Sequence, residues 1–250
     1  MQELHDWLQT PSGQYVIRCE QAYFDRAVSD IFGFRAVQVG FHGYPFLREN
    51  RIPWQIVLSP ETMPAPVAVL AYPEQLPFAT QSLDLLLLPH TLDFCASPQQ
   101  VLREAERVLM PEGRLILTGF NPYSLWGMKR RMKRCQGMPW QGRFVSLLRL
   151  RQWLNPLALE PCGGGFLCYA PPLKRQQGFE RCRFMEQAGD RLWPVVSGVY
   201  ALEIVKRVRG MRLIAPSWKT VPTRPLVAVS STRRPRPAVA CQPHQSAHLG

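Results

Sequence analysis

Asp93 follows His90 by three residues, just past the point where the apolar run Leu83-Asp84-Leu85-Leu86-Leu87-Leu88 stops at Pro89. An imidazole there can orient or deprotonate a bound group, because histidine changes charge near neutral pH. The plainer alternative is a ring that only bonds backbone. Asp93 has two roles open to it, a bond to His90 or the cap of the next helical turn. Gly40 and Gly43 bracket a short loop, where a missing Cβ lets backbone come close to a ligand. Lys129-Arg130-Arg131-Met132-Lys133-Arg134 carries five positive charges in six residues. Such a run suits phosphates, anionic lipid head groups or an acidic partner, or it is a solvated helix face. The seven cysteines are odd in number and include no C-x-x-C pair. They read as buried thiols, with no metal site expected.

Positioning such groups needs a core, and 250 residues with 46% apolar content supply one. No apolar run approaches the roughly 18–20 residues of a membrane-spanning helix. Met1-Gln2-Glu3-Leu4-His5-Asp6-Trp7 lacks a secretory pattern, so a cytoplasmic, reducing location is expected. The net charge of +12 is uneven: residues 113–159 hold nine basic residues and no acid, residues 204–250 another nine and no acid, and the rest has 12 basic against 18 acidic.

The elements alternate as in an α/β domain with parallel strands. Ser12 is placed to cap a helix running to about Ile31, with Tyr15, Cys19, Ala22, Tyr23, Ala27 and Ile31 as its apolar stripe and Gly33 as its stop. Strands follow at 34–40, 54–58, 66–71 and 83–88, the last apolar on both faces as buried parallel strands are. Ser97-Pro98 opens a helix that Pro111-Glu112-Gly113 closes, and 114–120 is a fifth strand. A basic helix near 124–134, a short helix near 146–154, a glycine run at 163–165 and a strand at 199–206 complete the body. Prolines from Pro216 onward break any regular pattern. The chain thus reads as an N-terminal helical extension (1–33), an α/β domain (34–210) with 121–195 as a cover, and a basic, proline-rich tail (211–250), mostly disordered.

Leu76-Pro77-Phe78 with Ser82-Leu83-Asp84, continued by Glu104-Ala105-Glu106-Arg107-Val108-Leu109-Met110-Pro111-Glu112-Gly113-Arg114-Leu115, closely resembles the class I S-adenosylmethionine-dependent methyltransferases, and Gly119-Phe120-Asn121-Pro122-Tyr123-Ser124-Leu125-Trp126-Gly127 with Ala188-Gly189-Asp190-Arg191-Leu192-Trp193-Pro194 looks like a type 11-like bacterial subfamily of them. The resemblance implies a doubly wound, mostly parallel seven-stranded sheet of Rossmann-like type, S-adenosylmethionine as cofactor and a methyl acceptor. Open parallel sheets bind ligands where the strand order reverses, here between the first and fourth strands. The cofactor contacts implied there are Gln38, Gly40 and Gly43, then Ser59 and Glu61, then Glu74, Gln75 and Leu76, and finally His90, which also stands where acceptor and methyl would meet.

The sequence departs from the superfamily at the cofactor loop. Gln38 stands at the usual acid, Gly40 alone is in phase, Val57-Leu58 occupy the place of the ribose-binding acid, and Tyr72 stands where an acid often meets adenine. Three functions stay open: a small-molecule methyltransferase, an RNA or protein methyltransferase using Lys129, Arg130, Arg131, Lys133 and Arg134, and a non-catalytic binding protein on the same fold. Trp126, Trp140, Trp153 and Trp193 are expected either in ordinary packing or in an acceptor pocket.

Overall fold

The computed structural model describes residues 2–59, 69–132, 137–173 and 196–208. Its longest helix starts because Thr10 accepts the Gly13 amide at 3.2 Å and Pro11 takes the first helical position. The N-cap is therefore Thr10 and not Ser12, whose hydroxyl instead donates to the Leu173 carbonyl at 2.6 Å. This helix, α2 (Pro11–Ser29), follows a short α1 (Gln2–Leu8) and stops at Ser29, capped by Asp30, before the expected Ile31.

Seven strands form one sheet in the order β3-β2-β1-β4-β5-β7-β6. They are β1 (Arg35–Val39), β2 (Trp54–Ser59), β3 (Val69–Leu70), β4 (Leu83–Pro89), β5 (Leu109–Phe120), β6 (Leu159–Leu167) and β7 (Val199–Lys206). β1 to β5 pair in parallel, and β7 runs antiparallel to both β5 and β6. The mostly parallel sheet implied by the resemblance is present. The glycine run at 163–165, not assigned to a strand from sequence, lies within β6; a Cβ on Gly164 would stand 2.5 Å from the Ala201 carbonyl of β7. Pro111-Glu112-Gly113, expected to precede the fifth strand, instead loops out inside β5, between the pairs Leu83–Leu109 and Leu85–Arg114, with Glu112 at φ 64°.

β4 shows why a continuous leucine run marks a central strand. Leu86 and Leu88 face one side, packing with Val101, Leu102 and Ala105 of α4 (Pro98–Val108) and Leu150 and Leu154 of α6 (Leu147–Leu154). Leu85 and Leu87 face the other, against Phe24 and Val28 of α2 and Leu4 and Leu8 of α1. With period-two alternation, both faces must be covered. The second cover comes from the N-terminal helices, since the β1–β2 connection (40–53) runs through turns with no helix among its residues. The third layer element, α3 (Thr91–Phe94), and the basic α5 (Leu125–Arg131), capped by Ser124, follow β4 and β5 directly. The expected tail (211–250), Glu61, Lys133, Arg134 and Trp193 lie outside the described residues. No described helix is long and apolar enough to cross a membrane.

Candidate functional site at the strand ends

A cavity of about 310 Å³ opens where β1 and β4 end side by side, the point at which strand order reverses. Residues 39–41, 72–74, 89–91 and 94–96 wall it, with Leu4 of α1 closing one side. Of the residues expected from sequence, Gly40, Glu74 and His90 belong to this wall. Gly40 has φ 81°, and a Cβ built on it meets nothing within 4 Å. Its amide is spent on the Leu58 carbonyl at 2.8 Å, so what it offers the cavity is an absent side chain.

The other expected contacts are placed elsewhere, and each has a structural task. Gln38 is fully buried and points into its own loop. Its side-chain nitrogen donates to the carbonyls of Gly40, Phe41 and Tyr44 at 3.0–3.1 Å, and its oxygen accepts the Phe46 amide at 3.2 Å. A carboxylate at this position could not donate to these carbonyls. Gly43 faces the His5 ring, 3.8 Å from its would-be Cβ. Ser59 is buried in the β2–β3 pairing opposite Leu70. Gln75 is exposed beyond the wall. Leu76 is clamped from α4: Glu104 accepts its amide at 3.2 Å, and Arg107 donates to its carbonyl at 3.0 Å and to that of Phe78 at 2.8 Å. Glu74 joins two walls by accepting the amides of Ala96 at 2.9 Å and Ser97 at 3.3 Å. The Cys95 thiol is pushed up to about 12, chiefly by burial and then by Glu74, and stays protonated.

His90 caps α3 in the left-handed conformation, φ 48° and ψ 12°. Its ring is buried, with Nδ1 2.9 Å from Asp93 Oδ2 and Nε2 3.0 Å from Glu20 Oε1. The second contact is an ion pair outside hydrogen-bond geometry, and Glu20 Oε2 and Asp93 Oδ1 have no hydrogen-bond partner among the described residues. Phe120 lies across the ring at 4.1 Å and Phe41 at 5.8 Å. Burial alone would lower the imidazole pKa, but the Glu20 charge foremost, with Asp93, outweighs it and holds His90 up at about 9. An imidazolium with both nitrogens facing carboxylates has no lone pair with which to accept a proton.

Asp93 resolves its two roles by bonding His90, and its Oδ2 also accepts the Phe120 amide at 2.9 Å. Burial raises its carboxyl against the pull of His90 and that amide. Sequence reading missed Glu20, although the signal was there: it is an acid four residues after Val16 and four before Phe24, both buried on α2.

Beyond β5, Asn121 takes the Tyr123 amide at 3.0 Å and Ser124 caps α5 through the Gly127 amide at 3.1 Å, so Asn121-Pro122-Tyr123 is a helix entry. Two of the basic residues fold onto the protein: Lys129 lies over Trp140, and Arg130 donates Nε to the Trp140 carbonyl at 3.0 Å while its guanidinium covers Phe144. Arg131 is exposed. Trp126 is buried and stacks on Trp140 at 5.9 Å; Trp153 packs against the core. Cys168 is buried but Cys162 is exposed, against the expectation of buried thiols.

Residues 57–117 match a family model described as a methyltransferase domain. The uncharacterized protein YafS of Escherichia coli (strain K12) is 33% identical over 156 residues, 62% of this chain and 64% of that protein's length. Among solved structures, a methyltransferase of Thermotoga maritima is 18% identical with a TM-score of 0.56, over 82% of this chain and 96% of its own. A geranyl diphosphate C-methyltransferase of Streptomyces coelicolor A3(2) is 15% identical with a TM-score of 0.53, over 75% of this chain and 78% of its own. With this strand order, a pocket at its reversal point and the methyltransferase-domain match running from β2 into β5, the chain has the fold of the class I S-adenosylmethionine-dependent methyltransferases, and its residues 57–117 match a methyltransferase domain.

Proposed function

We propose that the chain binds S-adenosylmethionine in the pocket between β1 and β4 and is a methyltransferase acting on a small-molecule acceptor. Gly40 carries this reading: its left-handed backbone leaves a space that any side chain would fill, at the strand end where a cofactor must approach. The pocket volume of about 310 Å³ falls within the roughly 300–1,000 Å³ of ligand sites. The residues fit the group in kind. Val39, Phe41 and Pro89 would hold its apolar portions, Tyr72 offers a ring face at the exposed rim, and Glu74 supplies a carboxylate in the wall.

When bound, the cofactor supplies a methyl group already activated on a sulfonium, so positioning can provide most of the acceleration and no base is obligatory. A protonated His90 suits that chemistry. It acts as a positioning residue that fixes the turn from β4 into α3, and with it the wall at residues 89–91.

One observation favours a second reading, a binding protein that has lost catalysis: Gln38 turns its side chain into its own loop, leaving no acid at the end of β1. Calorimetric titration separates the two. The first predicts saturable heat with S-adenosylmethionine for the wild type and none for Gly40→Val, followed by labelled-methyl transfer into a cell extract. No heat at millimolar cofactor, with the fold intact, selects the second.

A further inference from the structure

We infer that the concavity between α5 and α6 is a site for a phosphoryl group, carried by the acceptor. Only the word acceptor rests on the methyltransferase reading. The cavity measures about 350 Å³ and is lined by Arg130 and Arg131 at the end of α5, Arg149 in the first turn of α6, Ser146, Phe144 and Tyr123.

Three arginines line this space, and none forms an ion pair among the described residues. Like charges brought onto one concave surface repel, and the residue that would relieve them is missing from the whole stretch: residues 113–159 contain no acid. Arg130 is held in place, its Nε on the Trp140 carbonyl at 3.0 Å and its carbon 5.1 Å from the Phe144 ring centre. A fork anchored by one nitrogen keeps its terminal nitrogens as donors. Arg131 and Arg149 are exposed and have no described partner. Ser146 accepts the Arg149 amide at 3.3 Å, and its hydroxyl hydrogen has no described acceptor. Planar forks and a hydroxyl match the several oxygens of a phosphoryl group, and three positive charges exceed what a single carboxylate balances.

The position ties this site to the cofactor pocket. Phe144 stacks on Phe120 at 4.9 Å, and Phe120 lies over His90 at 4.1 Å. His90 lines one cavity and Phe144 the other, so the two share a wall three rings thick beyond the ends of β4 and β5. A molecule anchored by its phosphate at the arginines reaches the cofactor pocket only by passing round this wall.

The test uses the full chain without cofactor, so that failure here and failure of cofactor binding are read separately. Inorganic pyrophosphate is titrated calorimetrically in one arm. In the other, phosphatidylcholine vesicles with and without phosphatidic acid are sedimented with the protein. Saturable, salt-sensitive pyrophosphate binding, weakened about tenfold or more in R131Q/R149Q, supports a soluble phosphate ester. Binding confined to phosphatidic acid vesicles and lost in the same variant supports a lipid phosphate. R131K/R149K keeps the charge without the fork and should also bind more weakly than wild type. Gly40→Val should bind pyrophosphate as wild type does. No binding in either arm, equal binding by R131Q/R149Q, or binding of a short RNA alone would overturn the inference.

Discussion

Glu20 Oε1 on α2 stands 3.0 Å from His90 Nε2 at the end of β4, with both side chains buried. The contact joins the N-terminal helical segment to the strand end that walls the pocket. With Leu4 in that wall and Phe24 and Val28 against β4, residues 2–29 act as the cover of one sheet face, not as an appendage to it.

Replacing Glu20 by Gln keeps the shape and removes the charge that chiefly sustains the imidazolium. Removing this charge leaves the His90–Asp93 pair balanced and weakens only the Nε2 contact, at a cost of roughly 1–3 kcal/mol. Urea unfolding of Glu20→Gln should show a loss of that order. The His90 resonances of the variant should titrate at lower pH than the wild-type midpoint of about 9. A wild-type midpoint near the ordinary histidine value would remove the basis for this account.

The same group sets a pH dependence of stability. Its folded pKa lies above the unfolded value of about 6.5, so the folded state binds the proton more tightly. That contribution is complete below about pH 6.5 and is lost as pH rises through about 9. Unfolding midpoints collected across this interval should fall for the wild type. His90→Phe, although less stable throughout, should show a flatter profile between the same limits.

Gln38→Glu restores a superfamily-like acid and should do harm. Three backbone carbonyls that now accept from the carboxamide would face a carboxylate with no proton to give. An unmade bond at each, with a buried charge, costs about 3 kcal/mol or more. Thermal melts should register the loss, and cofactor affinity should not rise. A tighter Gln38→Glu complex of undiminished stability would mean that the side chain can turn outward.

The strongest sequence signal was the pair of stretches around Leu76 and Arg107, and the structure shows why those residues travel together. Arg107 crosses from α4 to the carbonyls of Leu76 and Phe78, so the two motifs are halves of one clamp. Leu85 to Leu88 were legible as a central strand because both faces are covered. The Glu20 contact was not legible, because spacing reports which face of a helix is buried and not what lies opposite. Gln38 misled for a related reason: a motif position tells where the chain is, while the direction of its side chain depends on carbonyls from Gly40 to Tyr44 whose placement only the folded loop fixes.

Arg107→Lys should therefore be costly for a like-charged change. Lysine can reach one carbonyl but cannot span Leu76, Phe78 and Glu104 with a rigid fork. The side chain is about one-third exposed, 34%, so water takes up part of the loss. A destabilisation of about 1–2 kcal/mol is expected in urea titrations. Amide exchange should quicken at Leu76, whose bonded Glu104 is oriented by Arg107.

Gly40 tests the cofactor reading most directly, and the two ways a side chain can act there are separable. At φ 81° any L-residue is strained, so Gly40→Ala and Gly40→Val should both lose stability, by about 1–2 kcal/mol for alanine and somewhat more for the β-branched valine. The strain is local, since a new Cβ meets nothing within 4 Å and the core is untouched. Binding should respond differently, because valine projects two methyl groups into the pocket and alanine only one. Calorimetry is expected to give a graded loss of cofactor affinity, weakened in Gly40→Ala and undetectable in Gly40→Val, in proteins whose melts remain cooperative. Equal affinities in wild type and Gly40→Val would place the cofactor somewhere other than the pocket between β1 and β4.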